Sequence, residues 1–171
     1  MRIAIVGSHS TGKTTLLRHL AERLEIAALS EVAREMIAES DKLPHHMTGE
    51  ERGEFQMGIL REQMRRELAV ESFLSDRSVF DAVAYSFDTP SYGELLSVAK
   101  SHGESRPYDR IFFLPIEFPL EGDAIRSQDE DYRLAVENEL WRILTETGTP
   151  FVRITGDPEA RLAACLESFG N

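Results

Sequence analysis

The spacing of apolar residues changes period along the chain, and each change marks an element. Arg2-Ile-Ala-Ile-Val-Gly7 is a short apolar run closed by glycine, which suits a strand buried on both faces of a parallel sheet. Beyond it Leu16, Leu17, Leu20 and Leu24 recur at helical spacing and predict a helix from about Lys13 to Leu24. A second apolar run, Ile26 to Leu29, leads into a helical stretch over Glu31 to Glu39. Ser40 to Met47, with Pro44 and two histidines, reads as a loop. Thr48 with Glu51 three residues on is a capping box, and Met57, Leu60, Met64 and Leu68 then mark the buried stripe of a long helix. Val70 to Ser75 predicts a third strand, although Glu71 and Ser72 make its start polar, and it ends on Asp76-Arg77-Ser78. Helical patterns at about Val79 to Phe87 and Tyr92 to Ser101 precede a fourth strand, Ile111-Phe-Phe-Leu114. Pro115, Pro119 and Gly122 break the stretch from Pro115 to Gln128, which reads as a loop or lid. Ser127 and Glu130 form a second capping box for a helix reaching about Thr147, Pro150 to Ile154 is a last strand, and Asp157-Pro158 opens a final helix. Strand and helix alternate throughout, so the fold class is α/β, with five parallel strands between two helical layers.

A chain of 171 residues has room for one domain, 1–171, with one well-buried core. Its 42% hydrophobic and 29% charged residues fit a globular fold and exclude disorder. No stretch approaches the ~20 apolar residues of a membrane-spanning helix. The start MRIAIVG also turns to glycine before a signal peptide could develop, so a cytoplasmic protein is expected. Cys165 stands alone, which leaves neither a disulfide framework nor a zinc site and makes it a small core residue. Thirty acidic against 19 basic side chains give a net charge of −11, a field that works against nonspecific nucleic-acid binding and leaves open only a specific 5′ end.

Gly7-Ser8-His9-Ser10-Thr11-Gly12-Lys13-Thr14 fits G-x-x-x-x-G-K-[ST] without departure. A chance match in a chain this long is expected on the order of once in a hundred sequences. Here the motif also closes an apolar strand and opens a helix, which is the context it requires. The glycines let the chain turn so that successive backbone N–H groups and the helix N-terminus converge on phosphate oxygens. Gly7, Ser8, Ser10, Thr11, Gly12, Lys13, Thr14 and Thr15 are therefore the expected ATP-binding residues. In that role Lys13 reaches the β- and γ-phosphates and the Thr14 hydroxyl ligates Mg²⁺.

Phosphoryl transfer also needs an acceptor oxygen in line with the γ-phosphate and cations that offset charge on it. Glu31 follows the second strand, and Asp76 and Arg77 follow the third. A parallel sheet delivers residues at these positions to its phosphate edge. Glu31 is the candidate base for the acceptor hydroxyl, or a helix-start carboxylate, with Arg34 and Glu35 a turn away. Asp76 is the candidate for the Mg²⁺ shell or the acceptor, and Arg77 for phosphate. Arg126 in the lid, and Arg133 beyond it, are either phosphate-directed or the solvated cations of a helix start. His9 lines the loop, and His45 and His46 sit on a solvated turn.

GSHSTGKTTL, SEVAREM, DRSVFDAVAYS, YDRIFFL and DAIRSQDEDYR, in this order, resemble the small P-loop ATPase and kinase family that includes the nicotinamide riboside kinase domain of bifunctional NAD-biosynthesis proteins. Asp76-Arg77-Ser78 also looks like the Asp/Glu-Arg-x element of thymidylate and deoxynucleoside kinases, in which the arginine handles phosphate. The resemblance implies strand order 2-3-1-4-5, a lid bearing Arg126 and a Glu31 close to the acceptor hydroxyl. It implies an ATP-dependent kinase acting on a small nucleoside-like acceptor. A nucleoside monophosphate kinase and a regulatory ATPase module are the alternatives. No N-K-x-D element of a guanine-reading switch occurs.

Overall fold

The computed structural model describes residues 1–119 and 129–170. Five strands form one parallel sheet: β1 (Arg2–Val6), β2 (Ala28–Leu29), β3 (Phe73–Asp76), β4 (Arg110–Phe113) and β5 (Val152–Arg153). Their order, β2-β3-β1-β4-β5, is the one the resemblance implies. The helices are α1 (Lys13–Leu24), α2 (Val32–Glu39), α3 (Gly49–Ala69), α4 (Val79–Ala84), α5 (Tyr92–Ser105), α6 (Glu130–Glu146) and α7 (Pro158–Glu167). Among the described residues no helix is long and apolar enough to cross a membrane.

Alternate residues of each strand face opposite sides of the sheet, and two cores result. Ala4, Val6, Ile111 and Phe113 pack with Leu60, Phe80, Val83, Leu95 and Leu140 beneath α3 to α6. Ile3, Ile5, Leu74 and Phe112 pack with Leu16, Leu17, Leu20 and Cys165 beneath α1 and α7. Each such side chain removed from water contributes about 1.5–3 kcal/mol, so β1, apolar on both faces, anchors the domain.

Register then decides which loops meet. Ile5 pairs with Asp76, so the turn after β3 emerges beside Gly7. Leu29 pairs with Ser75, which brings Glu31 alongside Arg77. β1 lies between β3 and β4, and its connection crosses one face while that of β3 crosses the other. The crevice this opens at the C-terminal strand ends is where such sheets hold ligands.

The boundaries differ from the sequence reading where polar residues intervene. α3 runs on to Ala69 with Val70 as its cap, and β3 begins only at Phe73, after the polar pair Glu71-Ser72. α4 stops at Ala84, because the hydroxyls of Ser86 and Thr89 turn the chain onto Val83 O and Ser86 O. The Thr48–Glu51 box is present in both directions. α6, by contrast, is capped by Asp129, whose carboxylate accepts from the Asp131 and Tyr132 amides, so Ser127 is not its cap residue.

Candidate active site

The loop after β1 turns at Gly7 (φ 142°), where a Cβ would lie 2.4 Å from Leu114 O, so no other residue fits. Ser10 (φ 56°) and Gly12 (φ 87°) also hold positive φ, which curls the backbone around its own amides. Lys13 is only 5% exposed and folds back over this curl, its Nζ donating to Ser8 O at 2.6 Å and to Thr11 Oγ1 at 3.4 Å. Burial, and then repulsion from Arg77, lower its pKa to about 7, with Asp76, Glu31 and Asp81 offsetting part of the loss. Thr15 and Thr14 are exposed on the first turn of α1.

Thr14 Oγ1 donates to Asp76 Oδ2 at 2.6 Å. Asp76 is 1% exposed, and its other oxygen, Oδ1, is buried without a hydrogen-bond partner. An unpartnered carboxylate oxygen in a dry site is costly unless a cation meets it. A hydroxyl and a carboxylate side by side beside a phosphate loop are oxygen donors that suit Mg²⁺.

Arg77 follows with φ 82°, a left-handed conformation that costs a side-chain-bearing residue of order 1–3 kcal/mol. The turn is held by its amide, which donates to Ile5 O at 2.9 Å, and by the Ser78–Asp81 capping box that starts α4. In return the guanidinium is aimed along the crevice. Its Nε donates to Glu31 Oε1 at 2.9 Å, Nη2 lies 2.8 Å from the same oxygen, and Nη1 is 3.6 Å from Asp81 Oδ1. Its face rests on the Tyr85 ring 4.8 Å away. Burial opposes the charge, but Tyr85 and the carboxylates of Glu31, Asp81 and Asp76 outweigh it and keep the guanidinium protonated. Asp81 also accepts from the Gly7 amide at 3.4 Å, and burial raises its own carboxyl above the usual range.

Glu31, 7% exposed, occupies the cap position of α2 without capping it, and its carboxylate is turned to Arg77, with Arg34 3.6 Å away. Glu31 thus stands at the start of α2, where a helix-start carboxylate is expected, and is ion-paired to Arg77 as well. Glu35 points elsewhere, bonded to Arg66 and Ser30 on the surface. Beside the Glu31–Arg77 pair opens a cleft of about 270 Å³ lined by Phe55, Gln56, Ile59, Tyr85, Tyr132 and the Arg52–Asp88 pair, among others. His9 and His45 also line it, and His9 Nδ1 lies 3.2 Å from Tyr85 Oη.

Sequence reasoning missed several of these groups. Asp81 had a legible signal, the S-x-x-D spacing from Ser78. Tyr85 just past α4, Tyr132 of α6, and Gln56 and Arg52 of α3 had none. Arg133 is not a solvated cation of a helix start: it is fully buried, donating to His9 O, Ser10 O and Phe118 O at 3.1 Å. Arg126, and the part of the expected lid beyond Pro119, lie outside the described residues.

Residues 2–161 match the family model described as AAA domain. No protein of curated function matches the chain in sequence. Among solved structures, NadR protein in complex with NR is similar over 97% of this chain and 49% of its own, with a TM-score of 0.75 and 20% identity. The present chain thus spans about half the length of that protein. Deoxyadenosine kinase from M. mycoides with bound dCTP is similar over 99% of both chains (TM-score 0.69, 14% identity). Thymidylate kinase from Ehrlichia chaffeensis is similar over 99% of this chain and 98% of its own (TM-score 0.68, 14% identity). At these identities the likeness is one of fold. With a complete phosphate-loop motif seated at the sheet's switch point and a family match running from Arg2 to Arg161, the chain belongs to the AAA domain family of P-loop proteins.

Proposed function

We propose that the protein is an ATP-dependent kinase that transfers the γ-phosphoryl group to a hydroxyl of a small nucleoside-like molecule. The observation that carries this reading is the Glu31–Arg77 pair, held at 2.8 Å on the wall between the phosphate loop and an aromatic-lined cleft. A carboxylate at that junction can take the acceptor's proton as its oxygen attacks phosphorus and the bond to the ADP oxygen breaks. Arg77 holds Glu31 in place, and its guanidinium, whose Nη1 lies 3.6 Å from Asp81 Oδ1 without a hydrogen-bond partner, supplies a cation for the transferring group. Lys13 and the loop amides bind the phosphates, and Thr14 and Asp76 would hold Mg²⁺, which when bound offsets charge on the polyphosphate. Arg126 is assigned to the transferring phosphate as well, from its place in the sequence.

The cleft lining carries Glu31, Asp81, Asp88 and Asp129 against Arg52 and Arg77. This acidic balance suits a neutral or cationic nucleoside better than a monophosphate dianion, and so disfavours the nucleoside monophosphate kinase alternative. Two of the similar structures, a NadR–NR complex and a deoxyadenosine kinase, support the same class. The test is acceptor-dependent ADP release across nucleosides, nicotinamide riboside, their monophosphates and 5′-hydroxyl oligonucleotides. A nucleoside should raise release at least about tenfold, and Glu31→Gln should lower that rate by roughly 10² while leaving nucleotide affinity intact. Release indifferent to every acceptor would replace the kinase with a regulatory ATPase.

A further inference from the structure

Four consecutive carbonyls of the phosphate loop, those of Ser8 to Thr11, each accept a side-chain hydrogen bond. Ser8 O accepts from Thr11 Oγ1 at 3.0 Å and from Lys13 Nζ. His9 O accepts from Arg133 Nε and Ser10 O from Arg133 Nη2, both at 3.1 Å. Thr11 O accepts from Arg161 Nη1 at 2.5 Å. Arg133 comes from α6 and Arg161 from α7, more than 120 residues away in sequence from the carbonyls they hold. They are 0% and 2% exposed.

A peptide's N–H and C=O point in opposite directions, so fixing the carbonyls of residues 9 to 11 outward fixes the amides of residues 10 to 12 inward. Without such partners these carbonyls would be free to rotate toward the phosphates and meet them with the wrong end of the dipole. The same two guanidiniums grip the chain leaving β4. Both Arg133 Nη atoms donate to Phe118 O, Arg161 Nη2 pairs with Glu117 Oε2 at 2.6 Å, and Arg161 lies over the Phe118 ring. Glu117 accepts in addition from the Gly156 amide, and Ser8 Oγ donates back to Arg133 O. Gly12 completes the fit, since a Cβ there would stand 3.3 Å from Arg161 Nη1.

We propose that Arg133 and Arg161 are positioning residues that set the phosphate-binding amide array by holding the carbonyls of His9, Ser10 and Thr11. They act on the nucleotide through the loop and do not touch its phosphates. This rests on the reading of the loop as a nucleotide site. Buried charge-assisted bonds of this kind are costly to remove, and a methionine in place of either arginine fills the space while freeing one or two carbonyls of the loop itself.

The experiment measures MgADP affinity and acceptor KM for Arg133→Met and Arg161→Met, well below their unfolding midpoints, with Arg→Lys variants beside them. MgADP affinity should fall about 10- to 100-fold, with acceptor KM nearly unchanged. Lysine should restore it only in part, because an ammonium cannot reproduce the two-carbonyl fork of Arg133. Unchanged affinity in correctly folded variants would overturn the assignment. Should the methionine variants not fold, arginine side-chain ¹⁵N–¹H spectra of the wild-type protein decide. Nε and Nη signals of Arg133 and Arg161 that stay in slow exchange and do not shift on adding MgADP support carbonyl holding. Large shifts with through-bond coupling to ³¹P would show them on the phosphates and refute it. A wild-type protein that binds no nucleotide would overturn the parent reading and this one with it. A wild type that binds, beside variants that bind equally well, overturns this one alone.

Discussion

Lys13 offers a test of the site that depends on no acceptor. With its pKa lowered to about 7 by burial, most of the Lys13 side chains carry no proton at pH 8 in the nucleotide-free protein. A polyphosphate within reach of Nζ restores a pKa near or above the usual ~10.4, so binding takes a proton from solvent. From the titration curve the uptake is about 0.9 proton per nucleotide at pH 8 and about 0.1 at pH 6. The terminal phosphate of the nucleotide, with a second pKa of about 6, adds little at pH 8. The sign for stability follows from the same shift. A lysine whose folded pKa lies below its unfolded value of 10.5 penalises the fold fully below about pH 7, and that penalty is released as pH rises toward 10.5. The size of the penalty is of order 5 kcal/mol at most, and nucleotide binding removes it by giving the ammonium a counter-charge. Calorimetric titration with MgADP in two buffers of different ionisation enthalpy reads the uptake directly as the slope of observed heat against buffer enthalpy. A slope near +0.9 at pH 8 is expected. In Lys13→Arg, where the cation never loses its proton, the slope should fall to about zero if binding persists. A wild-type slope of zero would mean that Lys13 is already charged when folded over Ser8, and would refute the account of its burial.

Asp76→Asn should leave the fold and most nucleotide affinity intact while lowering turnover by roughly 10² and weakening Mg²⁺ dependence, as checked by steady-state rates across a Mg²⁺ series. Gly7→Ala should destabilise the protein by more than about 3 kcal/mol in denaturant unfolding, because the added Cβ meets Leu114 O with no flexible atom to give way. Glu67 is fully buried and bonded to Gln63, His102 and Tyr108, with Arg2 at 3.4 Å, so Glu67→Ala should cost about 3–5 kcal/mol. Cys165, whose thiol burial pushes up to about 12, should resist thiol reagents at pH 8 in the native state and react only in denaturant.

Local pattern was enough for the phosphate loop and for β1. Gly7, Gly12, Lys13 and Thr14 act through backbone freedom and fixed spacing, and a short apolar run such as Ile3 to Val6, closed by glycine, suits a strand covered on both faces. The Thr48 capping box and the leucine stripe of α1 were legible for the same reason, since a turn of helix is a local event. Glu31, Asp76 and Arg77 could be nominated because strand ends in a parallel sheet face one edge, but their pairing was not in the sequence. That pairing is decided by register, Leu29 beside Ser75 and Ile5 beside Asp76, which long-range strand contacts set. Arg133 shows the limit most plainly. At the start of a helix rich in acidic residues its sequence neighbourhood is that of a solvated cation, and only packing α6 against the phosphate loop buries it on two carbonyls of residues 9 and 10. Arg161 and the cleft-lining tyrosines follow the same rule. Residues far apart in sequence gain a role only when tertiary packing excludes water and leaves each buried polar group no partners but those brought within reach.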